Sequence, residues 1–149
     1  MSEIRVAPCD DAAVLAGLRR AWNEESNGGP IDDPSFDDRF ASWVRAERAT
    51  RTFFVVVVDG VPVGMANVKR YERMPAVGRA SAGWWGYVGN VFVLESHRNR
   101  GIGEALMSEL RSWAAANGYE RLRLSPSERA RPFYERLGYV AGQVVQLDP

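Results

Sequence analysis

Asn90-Val91-Phe92-Val93-Leu94-Glu95-Ser96-His97-Arg98-Asn99-Arg100-Gly101-Ile102-Gly103 reads as a strand that enters a tight loop and then opens a helix. The helix continues to about Ala116, with Ile102, Leu106, Leu110 and Trp113 on one face and Asn117-Gly118 as its left-handed stop. Strand, glycine-rich turn and helix in this order suit an anion. Backbone N–H groups in a first helical turn lack intrahelical partners, and glycines at Gly101 and Gly103 remove the Cβ atoms that would hold a diphosphate away. Arg98 and Arg100 add positive charge. The spacing alone fits a plain tight turn with solvated arginines equally well, so on these residues both readings stay open.

Two other phosphate motifs are excluded by inspection. A P-loop needs Gly-Lys-Ser/Thr at the helix start, whereas Gly103 is followed by Glu104 and Ala105. A dinucleotide fingerprint needs Gly or Ala where Leu106 stands and an acidic residue after the next strand, where this chain has Ser125-Pro126-Ser127.

Working outward, residues 10–26 carry Val14, Leu15, Leu18 and Trp22 at helical spacing behind Asp10 as cap, and Asn27-Gly28-Gly29-Pro30 ends the pattern. A second helix is expected behind Asp33 and Pro34, with Phe36, Phe40, Trp43 and Val44 on one face. Thr52–Val58 and Val61–Tyr71 read as a hairpin joined by Asp59-Gly60, and a further strand covers about Trp84–Leu94 after an aperiodic connection from Glu72 to Gly83. Arg121–Ser125 alternates as a short strand, which makes the helix before it a parallel crossover. A short helix capped near Glu128 or Arg129 carries Phe133 and Tyr134, and Tyr139–Leu147 is expected as a last strand. With Glu3–Ala7 first, the order is β-α-α-β-β-β-α-β-α-β: an α/β fold with a mixed central sheet flanked by helices, in a single domain over residues 1–149.

Composition bounds the function. Nineteen basic residues balance nineteen acidic ones, so no global field draws nucleic acid or an anionic membrane. The apolar runs fall far short of the roughly 20 residues that span a bilayer. The lone Cys9 forms no internal disulfide and the N-terminus lacks the blocks of a signal peptide, which fits a cytoplasmic protein. No Cys/His cluster supplies the usual zinc ligands, so no metal is expected. Residues 1–40 nevertheless carry nine acids against four bases.

Arg98-Asn99-Arg100-Gly101-Ile102-Gly103 resembles the Arg/Gln-x-x-Gly-x-Gly/Ala acyl-CoA motif of the GCN5-related N-acetyltransferases (GNAT). Ala130-Arg131-Pro132-Phe133-Tyr134-Glu135-Arg136-Leu137-Gly138-Tyr139 is similar to that family's Ala-x-x-Phe-Tyr-x-x-Leu-Gly-Phe/Tyr segment. The resemblance implies the GNAT acyl-CoA N-acyltransferase fold, with acetyl-CoA as co-substrate in a cleft where the strands ending at Leu94 and Ser125 splay apart. Its diphosphate is then expected on Arg98, Asn99, Arg100, Gly101, Ile102 and Gly103, and its pantetheine arm along the backbone of Val91, Phe92 and Val93. A backbone N–H near Val93 would face the thioester oxygen, and Tyr134 would be the general acid that protonates the departing thiolate. Many members carry Asn where this chain has Ser127, so the contact of Ser127 with the carrier becomes shorter or water-bridged.

The implied activity is acetyl transfer to a primary amine of a small molecule by direct attack in a ternary complex. The rivals are a protein or peptide N-acetyltransferase and a non-catalytic acyl-CoA sensor on the same fold. Trp22, Glu24, Trp85 and Asn90 are the candidate acceptor residues, with Glu25, Asp32 and Asp33 as further charge that would attract a cationic amine. A solvated acidic loop and core tryptophans are the bland alternative. Glu72, Glu24 and Glu25 are candidate bases, and His97 reads as a rim residue. Exposed strand edges permit a homodimer.

Overall fold

Phe53 to Val58 is apolar at every position, which a strand can satisfy only if both of its faces are covered. The computed structural model, which describes residues 2–79 and 83–149, meets that demand. Its elements are β1 (Ile4–Pro8), α1 (Ala12–Asn27), α2 (Phe36–Glu47), β2 (Arg51–Val58), β3 (Val61–Glu72), β4 (Trp84–Val93), a 3-10 turn at Glu95–His97, α3 (Ile102–Ala116), β5 (Tyr119–Arg123) and α4 (Arg131–Arg136). The sheet order is β1-β2-β3-β4-β5, antiparallel except for the parallel β4–β5 pair. Along β2, Phe53 and Val55 pack with Leu15, Leu18 and Val44 of α1 and α2, while Phe54, Val56 and Val58 pack with Ile102, Leu106 and Leu110 of α3. The mixed sheet with helices on both faces is the expected class.

Asp59 and Gly60 both take positive φ, 49° and 82°, as a two-residue hairpin turn requires. The Asp59 carboxylate also accepts the Glu3 N–H at 2.8 Å and so pins β1 to the turn. At Gly64 the reason for glycine is close approach. A Cβ there would lie 2.8 Å from Val56 Cγ1 and 2.9 Å from the Phe92 carbonyl oxygen.

Strand β4 holds one residue more than its partner. Met65 pairs with Phe92 and Asn67 with Gly89, so Asn90 and Val91 stand opposite Ala66 alone, and Asn90 has φ 55°. The extra residue changes which face is which: Val88 belongs to the α3 cluster, whereas Phe92, four positions on, belongs to the α1–α2 cluster.

Four expectations are corrected. Asp11, not Asp10, caps α1, accepting the N–H groups of Ala13 and Val14 at 3.0 and 3.3 Å. Helix α2 starts behind Ser35 because the Asp33 carboxylate is taken by Arg39 and Ser35. Helix α4 begins at Arg131 behind Ala130, since Ser127 first turns the chain by accepting the Ala130 and Arg131 N–H groups on its carbonyl. The last strand does not form: residues 139–149 are irregular, with Val144 and Val145 exposed. The five-residue β5 is a short template, and Ala141-Gly142-Gln143 has little strand preference. The Glu72–Gly83 connection is closed by Arg73 N–H to the Gly83 carbonyl at 3.1 Å; residues 80–82 lie outside the described ones.

Candidate functional site

Strands β4 and β5 pair only from Trp84↔Tyr119 to Tyr87↔Arg123. The Tyr87 hydroxyl, donating to Ser125 Oγ at 2.8 Å, bridges the two chains where the register ends. Beyond it the β4 edge opens. Leu94 N–H donates to the Val63 carbonyl of β3 at 2.8 Å, and successive N–H groups of a strand alternate in direction. Val93 and Val91 therefore turn their main-chain groups toward the edge that β5 has left. Part of it is already used: the Val93 carbonyl accepts Arg98 Nε at 2.9 Å.

The loop after β4 runs into α3 through two left-handed residues, Asn99 at φ 61° and Gly101 at φ 77°. Gly101 is the N-cap and offers no side-chain acceptor, and the first helical bond is Ala105 N–H to the Gly101 carbonyl at 3.0 Å. The N–H groups of Ile102, Gly103 and Glu104 thus have no acceptor among the described residues. The Ile102 side chain is buried in the core, so only its main chain is on offer. These open donors at the positive end of a helix dipole fit a diphosphate.

The two loop arginines have different roles. Arg98 is held by Glu25 of α1 in a two-pronged pair at 2.6 and 2.7 Å, with its guanidinium 5.6 Å over the Phe92 ring. The Arg98 hydrogen bonds hold the Glu25 carboxyl below its ordinary range, and Glu25 raises Arg98 in turn. Arg98 joins α1 to the loop, and Arg100 is the exposed loop arginine with no ion pair among the described residues.

Tyr134 of α4 is 9% exposed and lies in the cluster of Ile102 and Leu106, against which Val91 and Val93 also pack. Phe133 and Tyr139 meet its ring edge-on, at 5.0 and 5.8 Å. Its hydroxyl makes no hydrogen bond among the described residues and is not among the fully buried unpaired polar atoms, so it reaches solvent. Burial pushes its pKa up, and pushes that of Tyr139 up to about 12 with Tyr134 as a second cause. Ser127 Oγ accepts the Ala130 N–H at 3.2 Å, which leaves its O–H free to donate.

On the other side of β4 lies a cavity of about 240 Å³ bounded by Arg19, Phe40, Trp43, Phe53, Asn67 and Asn90. Phe40, Trp43 and Phe53 form a chain of tilted rings at 5.6 Å spacing. Asn67, 3% exposed, accepts Arg51 Nη1 at 2.7 Å and donates Nδ2 to Asn90 Oδ1 at 2.8 Å. Arg51 and Lys69 both donate to Glu47, at 3.1 and 2.8 Å, and these bonds hold its carboxyl below the ordinary range. A larger hollow of about 740 Å³ on the outer edge of β5 includes none of the loop residues 98–103. The cleft, where open main-chain donors converge, is the better site.

Of the four expected acceptor residues only Asn90 bounds the cavity. Trp22 stacks on Phe92 at 5.4 Å, Glu24 is paired with Arg20 at 3.3 Å, and Trp85 stacks on Tyr71 at 4.7 Å near the far end of β4. The acidic run is largely self-neutralised, since Glu24, Glu25 and Asp33 each hold an arginine. Arg19, Arg51 and Asn67 escaped the sequence reading. The signal for Asn67 was a single polar residue inside the apolar run Val63–Val68.

Asn90 tolerates its left-handed backbone better than a branched residue would. Both Asn90→Gly and Asn90→Val lose the acceptor of the buried Asn67 amide, so the backbone term is read from their difference: Asn90→Val is expected to be less stable than Asn90→Gly by about 1–3 kcal/mol in urea unfolding. Equal stability of the two variants would contradict the strained bulge.

Among the described residues there is no group of three or more His, Cys, Asp or Glu arranged for a metal, and no helix long and apolar enough to cross a membrane. A glucosamine 6-phosphate N-acetyltransferase of Trypanosoma brucei brucei is 34% identical over 79 residues, 53% of this chain; the match spans about half of that relative, 51%. A GCN5-related N-acetyltransferase from Ralstonia eutropha JMP134 superposes with a TM-score of 0.73 at 25% identity, covering 100% of this chain and 99% of its own. A predicted acetyltransferase from Clostridium acetobutylicum, crystallised with acetyl-CoA, gives 0.74 at 16% identity, covering 99% and 96%. The acetyltransferase (GNAT) family model matches residues 15–139, and with the splayed strands and the uncapped α3 already described, the chain belongs to that family.

Proposed function

We propose that this chain transfers the acetyl group of acetyl-CoA to the primary amine of a small molecule, both being bound at once. The observation that carries this is the run of unpaired N–H groups at the start of α3 beside the opened edge of β4. In this reading Ile102, Gly103 and Glu104 N–H groups hold the diphosphate, Arg100 adds charge, and the main chain of Val91 and Val93 aligns the pantetheine arm. The Val93 N–H faces the acyl oxygen, where negative charge grows as nitrogen attacks. As the C–N bond forms from the neutral amine and the C–S bond breaks, the Tyr134 phenol gives its proton to the thiolate sulfur and regains one from solvent, and the nitrogen loses one to solvent. Cys9 is not needed as a nucleophile. Its N–H is bonded to Phe53 at 2.8 Å and it packs in the α1–α2 cluster, on the sheet face opposite Tyr134. A small acceptor is favoured over a peptide by the cavity of about 240 Å³.

Coenzyme A at about 100 times its dissociation constant is expected to raise Tm by roughly 5–10 °C. Absence of any shift, with no thiol released from acetyl-CoA across a panel of amines, would overturn the proposal.

A further inference from the structure

We infer that the acceptor is a small amine with an apolar carbon body and a carboxylate, the carboxylate being held by Arg19; the inference rests on the function proposed above. A cavity of about 240 Å³ is of the size that takes an amino-acid-sized molecule, below the roughly 300–1,000 Å³ of sites for drug-sized ligands. Its walls are Phe40, Trp43 and Phe53, whose rings reward an apolar body and give nothing back for the desolvated hydroxyls of a sugar.

The polar groups of the cavity are donors. Arg51 carries only N–H groups, so the Asn67 oxygen must face it, and the Asn67 amide nitrogen must then face the Asn90 oxygen. That leaves the Asn90 NH₂ as the end of the chain, with no acceptor among the described residues. Arg19, half-buried on α1, has neither a carboxylate nor any other hydrogen-bond partner among the described residues; its guanidinium lies 4.7 Å over Trp22. A stacked guanidinium keeps its N–H edge free for a carboxylate. Among the described residues no acidic one bounds the cavity, and Glu47, reached through Arg51, is committed to Arg51 and Lys69. Arg51, 5.3 Å over the Trp43 ring, is not itself part of the lining, which leaves Arg19 as its charged group among the described residues. Such a lining repels polyamines and welcomes an anion.

The test compares phenylalanine with 2-phenylethylamine, spermidine and glucosamine 6-phosphate. Phenylalanine is expected to have the highest kcat/KM, at least about tenfold above 2-phenylethylamine, the size of one charge-assisted contact. Arg19→Ala narrows that ratio toward one, and Arg19→Lys restores part of it. A readout without turnover uses 3-phenylpropionate, whose Kd by calorimetry is expected to weaken about tenfold or more in Arg19→Ala and to stay unchanged in Tyr134→Phe. Preference for any of the other three amines, or an unchanged Kd in Arg19→Ala, overturns the inference. Acetylation of other amines without phenylpropionate binding sinks the inference alone, whereas phenylpropionate binding with no amine acetylated sinks the proposed function and keeps the cavity's ligand class.

Discussion

Tyr134→Phe is expected to lower kcat by about 100-fold or more while the KM for acetyl-CoA changes by no more than about twofold. The ring is built into the core between Phe133 and Tyr139, so Phe keeps the packing and removes only the hydroxyl. That hydroxyl has no hydrogen-bond partner to lose among the described residues, which separates its chemistry from stability. A thiolate of pKa about 8.5 can take a proton from the phenol only if the phenol still holds it at working pH, and because the phenol is the weaker acid the transfer goes in concert with C–S cleavage, where charge builds on sulfur. Burial raises the Tyr134 pKa above the phenol's ordinary value of about 10, so the proton is retained below that pH and lost only as pH climbs through the raised value. Any alkaline decline of kcat due to Tyr134 should therefore begin above about pH 10. Steady-state rates at saturating substrates, taken from pH 6 to 10, check both points, and equal kcat in the two proteins would remove Tyr134 from the acid role.

Phe54→Ala is expected to cost about 3–5 kcal/mol of folding free energy. Phe54 is fully buried in β2, its ring edge against Trp113 of α3 at 5.2 Å and 77°. The neighbours that would have to close the void, Val56, Leu106 and Leu110, are fully buried themselves and have little room to relax. Against a total stability of about 5–15 kcal/mol this is a large fraction, and it falls on the face that supports the first turn of α3. Urea unfolding gives the value; a loss under about 1 kcal/mol would mean that α3 is not seated on β2 as described.

What was legible in the chain was local. Gly101, the Asp59-Gly60 turn and the helix face of Ile102, Leu106 and Leu110 announce themselves within a few residues, and the phosphate-side loop follows from them. Around the cavity only Asn90 was legible; Arg51 and Asn67 were not, because the three come from three strands and meet only through sheet pairing. The acidic run misled for the same reason: Arg98, which holds Glu25, is 73 residues away along the chain. The last strand failed where a local pattern met too short a template, the five residues of β5.

The supernumerary residue at Asn90 acts as a phase shifter in β4. Upstream, even-numbered side chains such as Val88 belong to the α3 layer; downstream, Val91 and Val93 belong to that layer and Phe92 to the opposite one. A one-codon deletion at this point would invert every later side chain of the strand, sending the Phe92 ring toward α3 and the two valines beneath Trp22. Single-residue indels here are therefore forbidden in a way that substitutions are not, and the length of β4, more than its composition, keeps the two halves of the site on their own sides of the sheet.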